Sequence, residues 1–448
     1  MSLTRTIATG SFWSGANNIV LKIVGLTAVF LILSKLSAYE YGLAELVFSL
    51  LPVVSIFSLP GMNSVILADL GRYRESGNTG AMRSLFEGFF IYQIALSVFA
   101  WAVLFFGADI IALFYSGAAP TLIKIVSFAC LLSPLRGAVQ MIFSVKLMFF
   151  ELALYSFAEE IFRFVSIVLA LFFFDLRAVG VVLALPVAQL LAISVLLPLA
   201  LRHYQEWRGG GYDPSANFFS ILRTHGKWSV FSTYVGSLTQ SVRLWLIKLF
   251  AGTEAVGLFA AAFGLLGHAN SLLPFSNILP PILSQYQEDK KRFSFIIQKA
   301  VKYQVIAACF VGVGVVIFLP FVLGNLLPHF LPSVGLFNIM VFTLVATAFS
   351  SVFTPVFSAL RAQRSFFYSN VIKFILTSFL VTVLMPVYGI FGAALEVVIT
   401  TCLLIFERYK AVQKIVPGFK IEIRRVFSFD ELDKVLFQKG LSFIKSKI

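Results

Sequence analysis

Apolar stretches of about 20 residues recur along the whole chain, and they restrict its possible folds more than any other feature. Hydrophobic residues occupy 59% of the 448 positions and charged residues only 12%, against about 25% charged in a typical soluble domain. A helix of about 20 residues crosses the roughly 30 Å hydrocarbon core of a bilayer. Transmembrane β-strands would instead give alternating segments of about ten residues. The sequence therefore predicts an all-α polytopic membrane protein.

Twelve of these stretches are predicted to be transmembrane helices. Their expected boundaries are 11–33, 41–66, 86–107, 121–145, 152–174, 179–201, 228–250, 256–283, 301–323, 334–360, 366–387 and 390–408. The longest connector contains three consecutive glycines and an Asp-Pro turn signal, and it divides the spans six and six. We therefore predict an N-lobe at 1–201, a cytoplasmic linker at 202–227, a C-lobe at 228–411 and a cytoplasmic amphipathic tail at 412–448.

The basic residues are distributed unequally between the two sides of the predicted membrane. Connectors after even-numbered spans, together with the two terminal segments, hold most of the 35 Lys and Arg residues, whereas connectors after odd-numbered spans hold few. The positive-inside rule then places both termini in the cytoplasm. Contact of this face with anionic membrane lipids accounts for the net charge of +14 without a nucleic-acid partner. The three cysteines and four histidines show no metal-ligand spacing, so no metal or other cofactor is expected.

The two halves of the chain resemble each other in sequence. Trp13-Ser14 at the head of span 1 matches Trp228-Ser229 at the head of span 7, and Gly42 matches Gly257. Both matches have the same offset of 215 positions, so no gap separates them. Because each half contains an even number of spans, the halves share one orientation in the membrane. We therefore expect two pseudo-symmetric six-helix lobes around a central cavity.

These features together resemble a known family. Five features are similar to the multidrug/oligosaccharidyl-lipid/polysaccharide exporter superfamily. They are the Trp-Ser head of span 1, the loop KLSAYEYGLAEL at 35–46, its counterpart at 248–261, the six-plus-six division, and Leu360-Arg361-Ala362-Gln363 at the end of span 10. Within it, the chain resembles the oligosaccharide and polysaccharide flippases of the O-antigen type. The fourteen spans usual in the lipid II flippase branch exceed the twelve predicted here.

The resemblance implies an alternating-access transporter rather than an enzyme. Its cargo would be a glycan linked to a polyprenyl diphosphate, moved across the bacterial inner membrane for lipopolysaccharide O-antigen, capsule or exopolysaccharide synthesis, with Na⁺ or H⁺ as a possible coupling ion. A monomer is expected. Its expected partners are membrane lipids and the glycan polymerase and glycosyltransferases of the same pathway.

Five cationic side chains inside predicted spans are candidates for binding an anionic cargo. Each would cost about 2.5–3.5 kcal/mol at the centre of a lipid-exposed helix, so we expect them to face a cavity or an acidic partner. Asn18 shares a helix face with the first cation, and Gln240 precedes another by three positions. The predicted cargo-binding residues are Lys22, Arg136, Arg163, Arg243, Lys373, Asn18 and Gln240. Lys373 and Arg243 lie nearer the helix ends, where snorkelling to the interface is the alternative.

Three carboxylates and one histidine inside the spans are candidates for ion coupling. Glu159 and Arg163 are four positions apart, so a structural ion pair is an alternative for them. Glu160 has no partner within its own helix, Glu396 lies in span 12, and His268 titrates near neutrality in its unperturbed state. An intramembrane carboxylate without a partner is typical of a proton or sodium site.

Three other functions remain open from the sequence. A cation-coupled multidrug exporter of the same superfamily would be expected to have an acidic cavity. A membrane glycan polymerase or ligase would be expected to have a long outer catalytic loop. A non-transporting scaffold of a glycan assembly complex would have no need of cations inside its spans.

Overall fold

A computed structural model of the chain describes residues 20–59, 61–115, 119–213, 216–223, 227–273, 290–359 and 363–415. All secondary structure within these ranges is helical. Asn18, the Trp13-Ser14 head, residues 360–362 of the Leu-Arg-Ala-Gln segment and the predicted tail beyond residue 415 lie outside the described residues.

The first half of the chain contains ten helices in the described ranges. They are α1 (20–35), α2 (Ala38–Phe48), α3 (Leu50–Val54), α4 (Met62–Glu75), α5 (Thr79–Phe106), α6 (Ala108–Ala112), α7 (Ala119–Val145), α8 (Phe149–Val168), α9 (Arg177–Gln205) and α10 (Phe218–Ile221). Short 3₁₀ turns follow α3 at Ser55–Ser58 and α9 at Glu206–Gly209, and a π-helical turn follows α8 at Leu169–Phe173.

Predicted span 2 is interrupted in the structure. It was expected as one helix over 41–66, but the helical run ends after Ser58, and α4 begins at Met62. Leu59 and Gly61 both adopt left-handed backbone angles, with φ of 52° and 81°. A right-handed helix does not continue through such residues. Span 2 is therefore Ala38–Ser58, and the connector to span 3 starts with the separate helix α4.

The second half contains six helices in the described ranges. They are α11 (Lys227–Ser271), α12 (Lys290–Leu326), α13 (Ser333–Met340), α14 (Phe342–Ala359), α15 (Gln363–Tyr388) and α16 (Ile390–Ile415). α11 joins two predicted spans, because its 45 residues form two helices divided at Gly252, which has φ of 83° and ψ of 178°. At 1.5 Å per residue, the whole run is about twice the length that one membrane crossing needs.

Twelve crossings account for the long helices. Eight described segments are long and apolar enough to span a membrane, and α13 with α14, bent by 45°, makes nine. The division of α11 at Gly252 gives a tenth. α8 has 20 residues but carries Glu151, Glu159, Glu160 and Arg163, and α1 belongs to the first apolar stretch. The described residues thus give twelve membrane-spanning segments, six in each half, and the molecule is an all-α multi-pass membrane protein, as predicted.

The lobes meet where α2 packs along the part of α11 that follows Gly252. A Cβ atom on Gly257 would lie 1.8 Å from the carbonyl oxygen of Ala38, and one on Gly42 would lie 2.1 Å from that of Thr253. Ala38 and Thr253 have the same 215-position offset as the two glycines, so the contact is symmetric between the repeats. We call this contact the glycine crossing. No side chain larger than hydrogen fits at either position.

The connector between the lobes packs on the N-lobe. Trp207 is buried, and its ring centroid lies 5.5 Å from that of Phe86 in α5. The ring centroid of Phe218 in α10 lies 5.3 Å from that of Phe89, which is also in α5. Asn78 donates a hydrogen bond of 3.1 Å to the carboxylate of Asp213. Despite its three glycines, much of this connector is therefore held against the N-terminal end of α5.

Candidate functional site

Three predicted site residues from three different helices gather where the lobes meet. A Cβ atom on Gly25 of α1 would lie 3.5 Å from Oε1 of Glu160 in α8 and 3.6 Å from Cε1 of His268 in α11. One turn earlier in α1, Lys22 donates a hydrogen bond to the backbone carbonyl of Ser271 in α11. We call Lys22, Glu160 and His268 the interlobe cluster. It joins a cation, a carboxylate and an imidazole from both lobes.

An apolar cavity of about 280 Å³ borders the interlobe cluster. Lys22, His268 and Ser271 lie at its polar edge. The remaining wall is hydrocarbon from α1, α11 and α12, and it includes Leu26, Phe30, Leu265, Leu272, Val315, Phe318 and Val322. Lys22 therefore faces a space that combines one ammonium group with a mainly apolar surface.

Arg136 pairs with Glu159 rather than lining a cavity alone. Its Nε atom lies 3.1 Å from Oε2 of Glu159, and the side chains are 42% and 13% exposed. The sequence allowed an ion pair between Glu159 and Arg163 within α8, and that pairing was wrong. α7 brings Arg136 against the carboxylate, and no i, i+4 rule predicts a partner from a neighbouring helix. Arg136 stays partly open, so its charge is only partly neutralised by this contact.

Arg163 instead faces a carboxylate that the sequence analysis missed. Its charge interacts with Glu45 of α2, and the hydroxyl of Tyr41 acts on the same carboxylate. The Nε atom of Arg163 is buried and makes no hydrogen bond within the described part of the chain. Tyr41 and Glu45 are four positions apart in an apolar helix, which is the sequence signal that would have identified them.

Arg243 and Glu396 form a buried ion pair inside the C-lobe. Nε of Arg243 lies 2.8 Å from Oε2 of Glu396, and Nη2 lies 3.3 Å from Oε1. The two side chains are 4% and 0% exposed. Thr377 and Thr400 donate to the same Oε1 atom at 2.7 and 2.9 Å.

Gln240 accepts a hydrogen bond from the other guanidinium nitrogen of Arg243. Glu396 was expected as a coupling carboxylate, with an ion pair to a neighbouring span as the alternative. Its four donors favour the ion pair, because they leave little room for an exchangeable cation at this carboxylate.

A second cavity of about 290 Å³ lies next to this ion pair, and we call it the C-lobe cavity. Its polar lining comes from five crossings: Gln240, Arg243, Asn270, Thr343, Thr347, Ser350, Lys373, Thr400, Thr401 and Arg408. Lys373 was expected either here or snorkelling to the interface. α15 begins at Gln363, so Lys373 lies ten residues, roughly 15 Å, from its start and faces the cavity.

The predicted site residues thus fall into separate groups. Lys22, Glu160 and His268 come together between the lobes, whereas Arg243, Gln240, Lys373 and Glu396 surround one cavity inside the C-lobe. Arg136 with Glu159 forms a separate N-lobe pair, and Arg163 stands apart. Arg408, the last residue of predicted span 12, also lines the C-lobe cavity, and the sequence analysis did not single it out. Among the described residues, no group of His, Cys, Asp and Glu is placed to hold a metal ion.

Comparison with known protein families identifies the chain. The family described as "Polysaccharide biosynthesis protein" matches residues 32–329, about two-thirds of the sequence. The chain belongs to this family. A search of curated proteins gave no significant match.

Solved transporter structures share the fold. An inward-facing multidrug resistance MATE family transporter of the MOP superfamily aligns with a TM-score of 0.73 at 12% identity, covering 88% of this chain and 94% of that one. The lipid II flippase MurJ in an inward closed conformation aligns with a TM-score of 0.71 at 16% identity, covering 90% and 87%. A MOP superfamily transporter from Pyrococcus furiosus aligns at 0.68 and 11%, covering 89% and 93%. The protein is therefore a membrane protein of a polysaccharide biosynthesis family, with the fold of these transporters.

Proposed function

We propose that this protein is a flippase for an oligosaccharide linked to a polyprenyl diphosphate. It moves the glycan from the cytoplasmic to the outer leaflet of the bacterial inner membrane, with both termini in the cytoplasm. The product then serves surface polysaccharide synthesis, such as O-antigen, capsule or exopolysaccharide. The family match to polysaccharide biosynthesis supports the glycan, and the shared fold supports transport between two lobes.

One observation favours an anionic cargo. Lys22 and Lys373 each line a cavity, and neither has a carboxylate within ion-pair distance in the described part of the chain. An ammonium group inside a membrane protein is costly unless it is hydrated or neutralised. A diphosphate or an acidic sugar supplies the missing charge. At Lys22, the adjoining apolar wall suits a cargo whose charged head group carries a lipid chain.

The glycine crossing supports alternating access as the mechanism. It closes the interface at the α1–α2 end of the lobes, which the charge distribution assigns to the outside. The described state therefore holds the cargo path shut toward the outer leaflet. Separation of α2 from α11 opens that end, and Glu160 and His268 lie where both lobes contribute to the path. We assign these two groups to coupling with H⁺ or Na⁺, because each is titratable and neither has a close ion pair within the described residues.

A cation-coupled multidrug exporter is the second candidate, because the MATE transporter aligns at the same level as the lipid II flippase. A cationic drug would meet Lys22 and the three cations of the C-lobe cavity, which repel it. A drug-sensitivity panel on a deletion strain separates the two functions. Unchanged sensitivity together with loss of surface glycan supports the flippase.

The decisive experiment is a leaflet-resolved assay in proteoliposomes. Fluorescent polyprenyl-diphosphate-linked glycan is incorporated, and an impermeant quencher reports the fraction in the outer leaflet over time. We expect equilibration only with the protein, and faster equilibration when an ion gradient is applied. A rate equal to that of protein-free liposomes, with correctly folded and oriented protein, would refute the proposed function.

A further inference from the structure

We propose that the C-lobe cavity is a specific oxyanion-binding site, separate from the interlobe cluster. Its ligand is a single phosphate group or a sugar carboxylate, and Lys373 is its central contact.

The electrostatics of the cavity are unbalanced. Arg243, Lys373 and Arg408 all line it, and Glu396 is the one carboxylate on the described elements that acts on Lys373. Glu396 is already bound by Arg243 in a bidentate pair. Glu407 interacts with Arg408 but is not among the groups that act on Lys373. Even if Glu396 neutralises Arg243 completely, the charge of Lys373 is left without a counter-charge. A bound anion would supply it.

The hydrogen-bonding groups of the cavity point to the same class of ligand. Lys373 and Asn270 donate no side-chain hydrogen bond to any residue that the structure describes, although both line the cavity. Thr343, Thr347 and Thr401 also line it, and their hydroxyls donate to backbone carbonyls three or four residues earlier in the chain. An ammonium and an amide thus remain as donors without an acceptor. Oxygen atoms of a phosphate or carboxylate are the acceptors that fit such donors.

The size of the cavity limits the ligand. Its volume of about 290 Å³ is far above the roughly 10–15 Å³ that one water needs. It lies at the lower end of ligand pockets, which span about 300–1,000 Å³. One phosphate or one acidic sugar residue fits this range, whereas a whole oligosaccharide does not.

An oxyanion of this kind has two sources that share the same chemistry. It is either a free anion such as inorganic phosphate, or the acidic group of the lipid-linked glycan, in which case the inference rests on the proposed function. Three probes distinguish them: inorganic phosphate, glucuronate, and farnesyl diphosphate as a short soluble polyprenyl diphosphate. Binding is measured by isothermal titration on the purified full-length protein in detergent, so no flipping activity is required.

The variants Lys373→Met, Lys373→Arg and Lys124→Met test the location. We expect one or more probes to bind, Lys373→Met to weaken that binding about tenfold or more, and Lys373→Arg to retain it, because a charge-assisted hydrogen bond of this kind is lost only in the first variant. Lys124→Met removes a cation that lines neither cavity and already pairs with Asp109, so it is expected to leave binding unchanged. Thermal melting of each variant checks that the fold is kept.

Each outcome decides the proposal. Binding of phosphate with this variant pattern supports a free-anion site, and binding of glucuronate or farnesyl diphosphate alone supports a cargo subsite. Absence of binding by all three probes, equal binding by Lys373→Met, or an equal loss in Lys124→Met would overturn it. Because the leaflet assay is separate, a failed anion site and a failed flippase give different results.

Discussion

The glycine crossing gives the sharpest test of the two-lobe mechanism, through Gly257→Ala. The added Cβ would lie 1.8 Å from the carbonyl oxygen of Ala38, whereas real Cβ atoms stay at least 3.0 Å from such atoms. α2 and α11 must therefore move apart by at least 3.0 − 1.8 = 1.2 Å. Overpacking of this size costs about 1–3 kcal/mol. That cost falls only on states in which the crossing is closed, so the ratio of closed to open states should fall by about 5- to 150-fold.

Spin labels report this shift directly. Cysteines at the exposed positions Lys35 and Glu254, in a background with Cys130, Cys309 and Cys402 replaced, place one label on each lobe near the crossing. We expect Gly257→Ala to add a population at longer label-to-label distance in double electron–electron resonance.

A matched control lies seven residues along the same helix. Gly264→Ala adds the same methyl group, but its Cβ would meet no atom closer than 4.0 Å, so the distances should stay as in the parent. Gly42→Ala should act in the same direction as Gly257→Ala, because its Cβ would lie 2.1 Å from the oxygen of Thr253. The double variant should be less than additive, since one separation relieves both overlaps. Unchanged distances in Gly257→Ala with an unchanged melting temperature would refute the steric argument.

Three further predictions follow from the charged groups. Arg243→Met leaves Glu396 buried without its cation and should destabilise the protein by about 3–5 kcal/mol. The double variant, Arg243→Met with Glu396→Met, should recover most of that loss. Equal melting temperatures for the single and double variants would contradict the structural role of the ion pair. Lys22→Met should slow glycan flipping about tenfold at unchanged melting temperature, as expected for loss of a charged hydrogen bond to cargo, and a normal rate would remove Lys22 from the path. Glu160→Gln and His268→Gln should each reduce the acceleration of flipping by an ion gradient, and full acceleration in both would exclude them from coupling.

The sequence predicted the fold correctly for a simple physical reason. Each crossing must satisfy its backbone hydrogen bonds internally, so an apolar run of the right length is itself evidence for a helix. The repeat was equally readable, and the pair Gly42 and Gly257 proved to be a contact between the lobes as well as a match between them. The break in span 2 was not predicted, because it depends on left-handed backbone angles at Leu59 and Gly61.

The candidate site was predictable as a set of residues but not as a set of pairs. Lys22, Glu160 and His268 were each identified from their position inside an apolar helix, and the structure brings them together. The ion pair between Arg136 and Glu159 was not predicted, because spacing along one helix gives no information about a residue on the next helix. Glu45 was missed for a related reason, since its importance comes from Arg163 on another helix.

The sequence by itself determined that this chain crosses a membrane many times, that it consists of two related halves, and that it carries charges where lipid cannot accept them. Those properties depend on the local composition of each helix and on the apolar nature of the bilayer. Only the tertiary structure decided which charges are neutralised and which face a cavity. Glu396 is paired with Arg243, whereas Lys373, which lines the same cavity, has no ion pair within the described residues. That difference arises from how helices pack side by side, and a pairing across helices leaves no spacing in the sequence.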